Sequence, residues 1–176
     1  MTAQLRMIRC NLDGLPEIKL PSDYEIRTYQ PGDEAAWAEI MNSGIGANWT
    51  AEGCSEALTS KPQFLPDGLF FATHKGKPVG SACAWRSSPD EWKEGYLHMV
   101  CVLPEHRGKN LGYILTLAVL HYFKDHGFQS CILDTDDWRI PGIRSYLRLG
   151  FEPVYLDESH KERWQKVFEQ VRSEKT

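Results

Sequence analysis

The segment from Tyr96 to Tyr113, YLHMVCVLPEHRGKNLGY, constrains this chain more than any other. Gly95 to Leu103 is its most strand-like run. It passes through Pro104 and a short charged loop containing Gly108 into a helical repeat of Leu111, Ile114, Leu115, Ala118 and Tyr122 that stops at Gly127. A strand, a tight basic loop and a helix in immediate succession leave the first amides of the helix without intrahelical acceptors, and the helix dipole adds partial positive charge there. Glycine at Gly108 and Gly112 lets a ligand come close to the backbone. The arrangement suits a phosphate or diphosphate. A Walker A loop would need Gly-Lys-Ser/Thr, whereas Lys109 is followed by Asn110.

The flanking sequence reads as alternating strands and helices. Tyr24 to Tyr29 has the period of a half-buried strand, Asp33 is placed to cap a helix carrying Ala36, Trp37, Ile40 and Met41, and Thr50 to cap a shorter one with Cys54 and Leu58. Leu69 to Thr73 and Pro78 to Arg86 form a predicted hairpin across His74-Lys75-Gly76-Lys77. Gln129 to Asp134 reads as a buried strand. Thr135-Asp136-Asp137 offers caps for a helix to about Leu149 with Pro141 in its first turn, and Phe151 to Leu156 resembles a closing strand. Residues 1–22 are expected to be an irregular lead or an edge strand. Residues 158–176 are expected to be an amphipathic helix or tail with Trp164, Val167, Phe168 and Val171 on one face, which leaves docking on the domain or on a partner open.

Bulk properties narrow the function. With 176 residues, 41% hydrophobic and 25% charged, the chain fits one globular domain, and a formal net charge of -4 offers no broad basic field for nucleic acid. Five isolated cysteines suggest buried thiols in a reducing compartment rather than a disulfide framework or zinc knuckle. His121 and His126, five apart on a helix, do not align as two ligands, so no metal is expected. No segment approaches the roughly 18 apolar residues of a membrane span, and MTAQLRMIRC lacks the apolar stretch of a signal peptide, so a cytoplasmic protein is expected.

Two motifs carry a resemblance to a known family. Arg107-Gly108-Lys109-Asn110-Leu111-Gly112, led in by Val102-Leu103-Pro104-Glu105, resembles the R/Q-x-x-G-x-G/A signature of the GNAT acyltransferases, with Asn110 where glycine is usual. Asparagine is the next most tolerant residue of positive φ. Tyr146-Leu147-Arg148-Leu149-Gly150-Phe151 is similar to the Y-x-x-x-G-F ending a later helix in that family, while Arg139 and Gly142 stand where its members often carry Asn and a small residue. The resemblance covers roughly Tyr24 to Leu156. It implies a single-domain α+β fold over 23–157, with a mixed, mostly antiparallel central sheet flanked by helices.

The resemblance also implies a chemistry. Arg107, Gly108, Lys109, Asn110, Leu111, Gly112 and Tyr113 would hold the diphosphate of acetyl-CoA, and Val100, Cys101 and Val102 would lie along its pantetheine arm, where a strand distortion frees an amide for the thioester carbonyl. Tyr146 would protonate the departing thiolate, which a phenol with a pKa near 10 is able to do at neutral pH. An alkyl amine near 10.4 must lose a proton before it attacks, and alternation puts Tyr96, His98, Val100 and Val102 on one face, which makes His98 the candidate base, with ordered water as the other route. By the same alternation Cys101 faces away from His98, as a packing thiol. The expected function is an N-acetyltransferase moving acetyl from acetyl-CoA to a primary amine by direct attack. The alternative is a non-catalytic acyl-CoA-binding module. The expected partners are acetyl-CoA and an amine acceptor, without nucleic acid or membrane, and a homodimer stays open.

Overall fold

The computed structural model describes residues 4–173. Its strands are β1 (Leu5–Arg9), β2 (Tyr24–Thr28), β3 (Leu69–His74), β4 (Lys77–Trp85), β5 (Glu94–Val102), β6 (Ser130–Thr135) and β7 (Glu152–Val154). They form one sheet in the order β2-β3-β4-β5-β6-β1-β7, antiparallel throughout except between β5 and β6. The helices are α1 (Glu34–Asn42), α2 (Ala51–Cys54, continued as a π turn over Ser55–Thr59), α3 (Leu111–Asp125), α4 (Ile140–Arg148) and α5 (Glu158–Ser173). The α+β class and the mostly antiparallel mixed sheet expected from the sequence are what the chain forms.

Several local expectations are corrected. The β3–β4 turn tightens to Lys75-Gly76, with φ of 51° and 79°, because positive φ at both central residues matches the twist of a two-residue hairpin. The N-terminal lead supplies β1, which lies between β6 and β7 rather than at an edge, and buries Leu5 and Met7 completely. Asp33 stands at the α1 N-cap without capping: its carboxylate is held by Arg27 and by the Gln30 amide, and stays below the usual carboxylate range chiefly through the Arg27 hydrogen bonds. Thr50 does cap α2, accepting from the Gly53 amide at 3.0 Å. The start of α4 falls later than Thr135-Asp136-Asp137, with Arg139 at its N-cap.

Each face of the sheet carries an apolar layer. On one, Ala82, Ala84 and Leu97 pack beneath Leu115, Val119 and Phe123 of α3, joined by Trp164 and Val167 of α5, so the C-terminal helix docks on its own domain. On the other, Trp37, Ile40 and Met41 of α1 pack with Cys54 and Leu58 over Phe71 and Cys83. Burying each large side chain contributes about 1.5–3 kcal/mol, which fixes α1 and α3 on opposite faces of β4 and β5. The sheet and α3 approach closely at Gly95, where a Cβ would lie 2.6 Å from ring atoms of Phe123. Gly95→Ala is therefore expected to destabilise the fold by about 1–3 kcal/mol through overpacking, measured by urea denaturation; an unchanged midpoint would show that Phe123 can yield.

Candidate functional site

The site begins where β5 and β6 part. Their ladder runs only from Glu94 opposite Ser130 to Tyr96 opposite Ile132; beyond it β5 stays with β4, and β6 with β1. The parting leaves a cleft of about 130 Å³ lined by residues 96–100 of β5, 133–135 of β6, Arg139 and Tyr146 from the α4 side, and Gln4 and Ile45.

A bulge in β5 shapes one wall. Ser81 faces Cys101 and Cys83 faces His98, so Ala82 stands opposite both Met99 and Val100, and Met99 takes a φ of 56°. One extra residue interrupts the ladder and turns the later side chains over. This corrects the simple alternation. Leu97, Val100 and Val102 pack toward α3, whereas Met99 and Cys101 pack toward α1. Cys101 pairs with Ser81 as His98 pairs with Cys83, two positions along β4, so Cys101 and His98 share a face rather than opposing each other. Cys101 is nevertheless a buried thiol, donating to the Ile40 carbonyl at 3.2 Å.

His98 stacks on Trp85 at 5.5 Å and lies 5.6 Å from the Tyr96 ring. Burial lowers its pKa to about 4, so the ring is neutral at physiological pH. Its folded value lies below the ordinary one of 6.5, so the unfolded chain binds the extra proton between the two. The stability linked to His98 is thus full above pH 6.5 and is lost as pH falls toward 4. A ring-proton NMR titration should leave the His98 signal unmoved from pH 8 to 5; a midpoint near 6.5 would contradict the burial.

Tyr146 packs its ring toward Gly142, where a Cβ would sit 3.6 Å from it, and edge-on to Phe151 at 6.0 Å. Among the described residues its hydroxyl has no hydrogen-bond partner, unlike a core tyrosine anchored to a carbonyl. Burial raises the phenol to about 12, opposed by the positive charge of Arg139. Tyr146 and His98 therefore stand in one cleft, both neutral at pH 7.

At the other end of β5 the basic loop forms the mouth of α3. Gly108 and Asn110 adopt φ of 76° and 63°, so asparagine does take the left-handed conformation that glycine would have supplied. The first bond into the helix runs from the Ile114 amide to the Asn110 carbonyl at 3.0 Å, and among the described residues the amides of Leu111, Gly112 and Tyr113 have no acceptor. A Cβ at Gly108 or Gly112 would meet nothing within 4 Å, so the space before these amides is open. Asn110 does not cap the helix; its Oδ1 accepts from Arg148 at 3.2 Å, and that guanidinium lies 4.4 Å from the Tyr113 ring centroid. The Arg107 side chain is committed to main-chain carbonyls, donating to Val102 at 2.9 Å and Ser43 at 3.0 Å, and Lys109 donates to Glu105.

Asp134, Ile45 and Arg139 are among the cleft residues that sequence reading missed. Asp134 accepts both Arg6 nitrogens, at 2.8 and 2.9 Å, and the Tyr96 hydroxyl at 3.1 Å. Ile45 comes from the loop after α1, and no local pattern announces it. Arg139 left a trace as a departure from the motif, but its contact to the Gly44 carbonyl joins positions remote in sequence. Of the aromatic residues before β5 and in the loop behind β4, Trp85 reaches His98, whereas Trp37 and Trp49 pack on each other at 5.1 Å and Trp92 lies over Phe128 and Arg86. No described helix is long and apolar enough to cross a membrane.

Comparison with known proteins identifies the family and the fold. Residues 35–151 match the model of the acetyltransferase (GNAT) family. A mycothiol acetyltransferase of Thermomonospora curvata is 35% identical over 149 residues, covering 81% of this chain and 49% of its own, and one of Nocardia farcinica is 28% identical, covering 83% and 51%. The chain thus spans about half the length of the curated relatives it matches. Among solved structures, a GCN5-related N-acetyltransferase from Sphaerobacter thermophilus superposes with a TM-score of 0.69 at 23% identity, covering 87% of this chain and 50% of that one. Ard1 from Thermoplasma volcanium gives 0.63 at 21% identity over 76% and 85%.

Proposed function

The chain belongs to the acetyltransferase (GNAT) family, and we propose that it moves an acetyl group from acetyl-CoA to a primary amine by direct attack. The observation that carries this reading is the continuity of β5: one strand leads from a cleft holding two neutral proton carriers, across a bulge, to a helix mouth with open amides. A diphosphate fits that mouth, since the Leu111 to Tyr113 amides are unpaired and Gly108 and Gly112 leave the approach clear. Acetyl-CoA, when bound, supplies an acyl group activated as a thioester.

The chain's residues then have separable tasks. Gly108, Lys109 and Asn110, with the first turn of α3, hold the diphosphate, and Arg107 fastens the loop to the end of β5 through Val102. Main-chain groups of Val100, Cys101 and Val102, next to the bulge, align the pantetheine arm, and an amide released from the ladder polarises the acyl carbonyl, an effect commonly worth about 3–4 kcal/mol. Solvent takes the ammonium's first proton before attack; His98, a weak base, takes the second as the nitrogen grows acidic on bonding to carbon, and its neutrality above pH 5 keeps it ready. Tyr146 gives its proton to the leaving sulfur.

The named relatives point to an acceptor related to mycothiol. The test is thiol release from acetyl-CoA, assayed with such amines beside amino acids, polyamines and peptides. Acceptor-dependent release is expected. Tight acetyl-CoA binding without release for any amine would favour a binding module, and absence of binding by calorimetry would remove the reading altogether.

A further inference from the structure

Two arginines hold consecutive carbonyls at the end of α1. Arg107, from the loop before α3, donates through Nη2 to the Ser43 carbonyl at 3.0 Å; Arg139, at the N-cap of α4, donates through Nη2 to the Gly44 carbonyl at 2.9 Å. These lie just beyond the C-terminus of α1, where exposed carbonyls and the negative end of the helix dipole attract a cation. The loop has little room of its own, because a Cβ at Gly44 would lie 3.1 Å from Cys101 Sγ and 3.3 Å from Arg107 Nη2. The next residue, Ile45, lines the cleft beside Tyr146.

Arg139 is itself fixed. Its Nε donates to Asp136 Oδ2 at 3.0 Å, and its guanidinium stacks 4.4 Å from the ring centroid of Trp138, which is 68% exposed at the surface. It lines the cleft, and among the described residues it is the cation whose charge acts on Tyr146. From this placement we infer that Arg139 is a positioning residue for acetyl transfer: it anchors the Gly44–Ile45 wall against which the acceptor amine lies, and sets a positive charge beside Tyr146 where negative charge develops on the leaving sulfur. This rests on the reading of the chain as an acetyltransferase.

The two tasks separate by substitution. Arg139→Lys keeps the charge but cannot bridge Asp136 and Gly44 with one planar group, whereas Arg139→Gln keeps a neutral donor for the Gly44 carbonyl. Lysine is expected to raise the acceptor KM roughly tenfold while largely sparing kcat. Glutamine should do the reverse, lowering kcat roughly tenfold, with Arg139→Ala combining both losses. The affinity for CoA, read by calorimetry on each variant, should match the wild type, because Arg139 does not touch the α3 mouth; this also reports that the variants are folded. The inference is overturned if all three variants keep wild-type kcat and KM, or if Lys and Gln show the same losses in the same proportion. A wild-type protein that binds CoA but never releases thiol would instead count against the enzyme reading on which it stands.

Discussion

Replacing Tyr146 with phenylalanine is expected to lower kcat by roughly two orders of magnitude while leaving CoA affinity within about twofold. The substitution removes one hydroxyl and keeps the ring on Gly142 and Phe151, so packing and the α4 framework persist. No hydrogen bond is lost among the described residues, and stability should hold or rise slightly. What goes is the proton. Burial pushes the phenol to about 12, so it is fully protonated across the working range. The wild-type rate should therefore show no alkaline limb near pH 10. Steady-state kinetics with calorimetric CoA binding would check this; a phenylalanine variant with undiminished kcat would mean that the sulfur is protonated by another group or by water.

How much of this was legible in the sequence depends on the range of the interactions. Gly108, Asn110 and the repeat from Leu111 are local signals, because φ preference and unpaired helix amides depend on neighbours in the chain, and they located the α3 mouth. The β5 bulge was not legible: Met99 is an ordinary strand residue, and its positive φ is forced by pairing with β4, so alternation placed Val100 and Val102 on the wrong face. The place of β1 between β6 and β7 is also tertiary, since Leu5 and Met7 look the same at an edge as in the interior. The Arg107 and Arg139 contacts to Ser43 and Gly44 join positions 64 and 95 residues apart, and an arginine does not advertise which carbonyl it will find. The end of α4 was readable from Tyr146 to Phe151; its start was hidden because Asp136 and Asp137 spend their carboxylates on Arg139 and Arg163 instead of on the helix.

Gly112→Asp is expected to reduce CoA affinity about a hundredfold without loss of stability, a combination that few other mechanisms would give. Gly112 is the second residue of α3, has space around its missing Cβ, and carries no left-handed φ, so the aspartate fits without strain. A carboxylate in the first turn of a helix is stabilising by about 0.3–1 kcal/mol, and alanine-like backbone restriction adds to that, so the melting temperature should stay level or rise. The same charge would stand in the path of a diphosphate. Two unit charges about 4 Å apart repel by roughly 4 kcal/mol near a protein surface, and solvent at this open mouth would leave about 2–3 kcal/mol, which is the hundredfold loss. Gly112→Asn separates the parts, having the same shape and no charge: its affinity should fall by less than the aspartate variant's, and raising salt should narrow the gap between them. If the aspartate variant bound CoA as tightly as the wild type while remaining folded, the diphosphate would have to sit elsewhere, and with it the whole line from the α3 mouth along β5 to Tyr146.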